Sequence, residues 1–75
     1  MPRLTPLKDR ELLPLLYRLG FSELRHGATS HKILRHADGR QTIVAMHPGK
    51  DISVGTLRKI LRDIRVSPED FMSLL

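Results

Sequence analysis

Four histidines, at positions 26, 31, 36 and 47, sit in a 75-residue chain that carries thirteen Lys and Arg against eight Asp and Glu. Imidazole titrates near neutrality, so it can take or give a proton at physiological pH. Lys and Arg stabilise charge that grows on phosphoryl oxygens. These groups suit a phosphodiester cut without metal. A base takes the 2′-hydroxyl proton of RNA, that oxygen attacks the adjacent phosphorus in line, and an acid protonates the leaving 5′-oxygen. They suit equally a surface that holds RNA and leaves it intact. By themselves they do not choose among the four histidines.

Other chemistries find less support. The histidines lack helical i,i+4 pairing and no acids cluster near them, so no metal site is expected. The glycines stand isolated at 20, 27, 39, 49 and 55, which makes neither a phosphate loop nor a dinucleotide fingerprint. No cofactor is implied. The chain has no cysteine, which excludes disulfides and thiolate metal sites and suits a reducing compartment. A net charge of +5 favours a polyanionic partner, because Lys and Arg contacts to phosphates displace condensed counterions. Only three aromatics are present, Tyr17, Phe21 and Phe71, which argues against a base-stacking platform.

The elements that must position these groups follow from periodicity. Leu12, Leu15, Leu16 and Leu19 fall on one face at helical spacing, which predicts a helix from Asp9 to Leu19 with Asp9 as its cap and Gly20 at its end. Pro14 within it predicts a kink or a late start. Phe21 to His26 reads as a first strand, followed by a loose connection through Gly27, Ala28 and Thr29. The runs from His31 to His36 and from Gln41 to Met46 flank an Asp38-Gly39 pair, a strong hairpin signal because both residues tolerate positive φ. A two-residue turn there pairs His31 with Met46, Ile33 with Val44 and Arg35 with Thr42. Which sheet face the helices cover stays open, since both are half apolar.

His47, Pro48, Gly49 and Lys50 form a polar loop. Ser53 caps a second helix from Val54 to about Ile64, with Val54, Leu57, Ile60, Leu61 and Ile64 as its apolar stripe and Arg58, Lys59 and Arg62 outward. Ser67, Pro68, Glu69 and Asp70 mark the start of a short third helix that packs Phe71 and Leu74. The order predicts one α+β domain over 1–75: α-β-β-β-α, a three-stranded antiparallel sheet with two helices on one face, plus a short C-terminal helix. The N-terminal stretch has no apolar run long enough for a signal peptide, and no later stretch spans a bilayer, so a soluble cytoplasmic chain with no membrane partner is expected.

The chain also resembles the HicA family of mRNA-interferase toxins, the RNA-cutting half of toxin–antitoxin pairs. The likeness begins at Leu4, Thr5, Pro6 and Leu7 and continues through the Leu-rich helix to Leu19, Gly20 and Phe21. It reaches Ser30, His31, Lys32, Ile33, Leu34, Arg35, His36, Ala37, Asp38, Gly39 and Arg40. It resumes at His47-Pro48-Gly49-Lys50 and runs from Gly55 to Leu61. The resemblance implies a double-stranded-RNA-binding-like fold, metal-independent cleavage of mRNA and inhibition by a HicB-type antitoxin, with no DNA partner for the toxin alone. In the family, the histidine of a Gly-Ser-His motif leading into the second strand is essential. Ser30-His31 stands at that place, with Thr29 where the motif has glycine, so His31 inherits the catalytic role. Ser30, Lys32, Arg35, Lys50 and Arg58 are the expected RNA contacts, and His47 is a candidate for a second role. The antitoxin is expected to cover His31 and the outward face of the second helix. The alternative is a non-catalytic RNA-binding or partner-binding domain of the same fold.

Overall fold

The computed structural model describes residues 3–26, 31–47 and 49–75. Its elements are β1 (Leu7–Lys8), α1 (Asp9–Arg18), β2 (Phe21–His26), β3 (His31–His36), β4 (Gln41–Ala45), β5 (Asp51–Ile52), α2 (Val54–Ile64) and α3 (Pro68–Met72). Strands β2, β3 and β4 form an antiparallel sheet in that order. Helix α1 packs against β2, α2 against β4, and α3 against α2. This is the α+β architecture expected from the sequence. The Cα trace spans 36 × 30 × 17 Å, and the short axis fits one sheet under one helical layer.

The core gathers the predicted stripes. Leu12, Leu15 and Leu16 of α1 are buried, joined by Leu13. Leu57, Ile60, Leu61 and Ile64 of α2 meet Leu34, Val44, Phe21 and Phe71. Val54 and Leu19, at the helix ends, are only partly covered. The Ser53 hydroxyl accepts from the Thr56 N–H at 3.2 Å, and that of Ser67 from the Asp70 N–H at 3.1 Å. Both helices therefore start where a side-chain oxygen satisfies an orphan donor.

Helix α1 starts differently from expectation. Asp9 is its first helical residue and Lys8 is the cap, whose N–H donates to the Glu11 carboxylate at 3.0 Å. The cause is β1, a two-residue ribbon with β5 that pairs Leu7 with Ile52 and Lys8 with Asp51. It holds Lys8 extended until the chain enters the helix. The helix also runs unbroken through Pro14. Both Pro14 and Arg10 are exposed, so the carbonyl that loses its donor lies on the water side.

The hairpin register corrects the two-residue-turn expectation. His31 pairs with Ala45, Ile33 with Ile43, Leu34 with Thr42 and Arg35 with Gln41. Three residues, Ala37, Asp38 and Gly39, make the loop: His36 N–H donates to the Arg40 carbonyl at 2.8 Å, and Gly39 N–H to the His36 carbonyl at 2.9 Å. Gly39 has φ +99°, the left-handed residue such a loop requires. Asp38 fixes the geometry by accepting from Arg40 N–H at 3.0 Å and from its Nε at 2.8 Å. The backbone N–H of Arg40, ahead of its guanidinium, holds the Asp38 carboxyl below the usual carboxylate range. Arg40 then reaches the Ile64 carbonyl at 2.6 Å, tying the loop to the end of α2.

The new register sorts the faces. Leu34, Thr42 and Val44 point under the helices, and the buried Thr42 hydroxyl donates to Asp63 of α2 at 2.9 Å. His31, Arg35, Gln41 and Ile43 are exposed on the open face. Strand β2 carries an irregularity between Glu23 and His26, where the pairing with β3 slips by one residue.

Gly20 is bound to its residue type by a close approach. Its φ is +98°, and an added Cβ would stand 2.8 Å from Nε2 of His36, whose ring packs edge-on against Phe21. Gly39 has nearly the same φ and open space around it. Both Gly→Ala changes carry the left-handed penalty of roughly 1–2 kcal/mol. Urea denaturation is expected to show Gly20→Ala costing about 1 kcal/mol more than Gly39→Ala, from the added steric conflict. Equal losses would mean that His36 moves aside freely.

Candidate active site

His31 opens β3, on the uncovered face of the sheet. It borders a hollow of about 390 Å³ with Ile43 and Ala45 of β4 and Thr56, Lys59 and Ile60 of α2. A second hollow of about 220 Å³ adjoins it, bordered by His47, Lys50, Asp51 and Ser53. Ala45 and Thr56 line both, so the two form one groove where the start of α2 overhangs the edge strand β4. The pairing of His31 with Ala45 sets its spacing. His47 lies two residues past Ala45, ~7 Å along an extended chain. Lys50 N–H donates to the His47 carbonyl at 2.9 Å, a turn that brings both side chains to the same hollow.

The groove thus unites three of the residues singled out from the sequence: His31, His47 and Lys50. Arg35 shares the open face of β3 with His31 but lies four residues along, ~13 Å away. Lys32 points to the helix side, where its ammonium meets Glu23 at 2.9 Å. The same Glu23 oxygen accepts from the Tyr17 hydroxyl at 2.9 Å. That carboxylate raises the Lys32 pKa, while burial, and then Glu23, raise that of Tyr17. Lys32 is therefore committed to an ion pair away from the groove. Arg58 faces a different hollow, of about 510 Å³, with Arg3, Leu4 and Glu69. Ser30, Thr29 and Pro48 lie outside the described residues.

Two groove residues escaped sequence reasoning. Thr56 sits at the junction of the hollows, and Lys59 shares the one that His31 borders. In the sequence Lys59 is one of three outward cations on a helix. Its spacing of three from Thr56 puts both on one side of α2, but only the docking of α2 on β4 selects that side. Asp51 is the one acid that lines the groove among the described residues, and it is paired with Lys8 at 3.4 Å. The side chains of Lys50 and Lys59 form no hydrogen bond or ion pair among the described residues. No three His, Asp or Glu side chains among those residues gather to hold a metal ion. Nor is any helix among them long and apolar enough to cross a membrane.

A strand histidine thus stands at one end of a groove that carries two lysines, on a small basic α+β fold. Residues 10–66, most of the chain, match the family described as the HicA toxin of bacterial toxin–antitoxin systems. The chain belongs to the HicA toxin family, and with it to systems in which the toxin has an antitoxin partner. No curated protein matches it.

Proposed function

We infer that this toxin is a metal-independent endoribonuclease that cuts mRNA, and that a HicB-type antitoxin holds it in check. The observation that carries the reading is the groove joining His31 to His47 and Lys50. A phosphodiester lying in it has an imidazole at each end. One takes the 2′-hydroxyl proton as that oxygen bonds to phosphorus, and the other gives a proton to the 5′-oxygen as the P–O5′ bond breaks. The products are a 2′,3′-cyclic phosphate and a 5′-hydroxyl, and solvent resets the two histidines. His31 carries one transfer and His47 is the candidate for the other. Lys50 holds the strand by its backbone charge. Arg35 extends the contact along the open face, Ser30 is a further candidate beside His31, and Arg58 and Lys32 are left for RNA outside the groove.

A second reading, a partner-binding domain that does not cut, draws on one observation. Leu24 and Ile43 are half-exposed apolar side chains on this toxin, at 50% and 51%, and such surface suits a protein partner. Ile43 also borders the His31 hollow, so an antitoxin seated on it covers the site.

Incubation with mixed RNA in EDTA separates the two. Cleavage is expected to persist in EDTA and to leave 2′,3′-cyclic phosphate ends. A strand carrying a single 2′-deoxynucleotide at a mapped cut site is expected to stay whole there. Binding with no cleavage, or cutting at the deoxynucleotide, would sink the proposed chemistry.

A further inference from the structure

We propose that Lys59 is the cation that stabilises the scissile phosphate, acting from α2 opposite His31. The inference deepens the RNA-cutting reading and rests on it. Lys59 borders the same hollow as His31, and among the described residues no acid lines that hollow. The carboxylate of the groove, Asp51, lines the adjoining part and is engaged by Lys8. The field of the Lys59 ammonium is therefore left for a ligand.

The backbone that carries this side chain is firmly placed. The helix neighbours of Lys59, Leu57, Ile60 and Leu61, are all buried in the core, so the backbone beneath it is held by packing. The hollow, at about 390 Å³, accepts a phosphodiester with its flanking sugar. In-line attack gathers negative charge on the non-bridging oxygens, and an ammonium beside them binds that state more tightly than the ground state. A flexible stem with a compact charge can follow those oxygens as phosphorus becomes five-coordinate. Lys50, in the adjoining hollow, meets a neighbouring phosphate whose charge does not change during the reaction. The two lysines therefore act on different kinetic constants.

Steady-state cleavage of one defined RNA by purified full-length variants tests this, with circular dichroism confirming the fold. Lys59→Ala is expected to lower kcat about 100-fold with KM little changed, the size seen when one transition-state donor is removed. Lys59→Arg should recover part of that loss, since the charge returns with altered geometry. Lys50→Ala should instead raise KM. Arg62→Ala removes the same charge from the same helix, outside the hollow, and should stay within about twofold of the parent.

The proposal is overturned if Lys59→Ala cleaves like Arg62→Ala, or if its defect is confined to KM as in Lys50→Ala. In either case an inactive His31→Ala leaves the RNA-cutting reading intact. If the parent binds that RNA without cutting it, that reading falls and the role of Lys59 falls with it.

Discussion

Phe71→Ala is expected to cost about 3–5 kcal/mol of folding free energy, the range for truncating a buried aromatic. Phe71 is fully buried, yet it sits on α3, a helix of only five residues. A helix so short does not persist on its own propensity, even with the Ser67 cap and Pro68 at its start. It exists because Phe71 packs into the core alongside α2, and its removal leaves both a cavity and an unanchored helix. A domain of this size has a total stability of roughly 4–11 kcal/mol, so the loss is a large share of the whole. Urea denaturation followed by circular dichroism reads it directly. Leu75→Ala, at a position 59% exposed, is the control and should stay within about 0.5 kcal/mol of the parent. A loss below about 1 kcal/mol at Phe71 would mean that α3 is not part of the core.

The sequence foretells these elements unevenly, for physical reasons. Helix α2 is legible to the residue, because a serine cap, a stripe of five apolar residues and a polar opposite face all agree on its bounds. The three long strands are legible to within a residue, bounded by Gly20, Gly39 and polar loops, with the third ending at Ala45 and not at Met46. The hairpin register is not. An Asp-Gly pair fits both a two-residue and a three-residue loop. The decision comes from Asp38 bonding Arg40, and from Thr42 finding Asp63 across the sheet–helix interface. Only the first of these is local. The β1–β5 ribbon escapes too, because two-residue strands have no period to detect and their partners lie far apart in the chain.

The site divides along the same line. His31 stands out only through the residues around it that resemble a family motif, since composition leaves four histidines alike. That His47 and Lys50 join it depends on the register of β4 and on the turn that Lys50 N–H closes. Lys32 adjoins His31 in sequence, and strand alternation alone sends it to the opposite face, where Glu23 waits. Lys59 is singled out from the neighbouring cations Arg58 and Arg62 by the angle at which α2 settles on the sheet. Adjacency in the chain was a poor guide to adjacency in the groove.

His31→Ala carries the central claim. Removing a group that transfers a proton in the transition state typically costs 10²–10⁴-fold in rate, about the range expected here. The side chain is exposed at the first residue of β3, outside the apolar core, so folding stability should change by no more than about 0.5 kcal/mol. Expression of the variant should likewise spare growth where the parent arrests it. The most direct measurement is the single-turnover cleavage rate of one RNA by parent and variant, in EDTA, with both shown to be folded at the assay temperature. The account predicts a rate lowered by at least about 100-fold in a folded His31→Ala protein. A folded variant that cuts at the parent rate would contradict it.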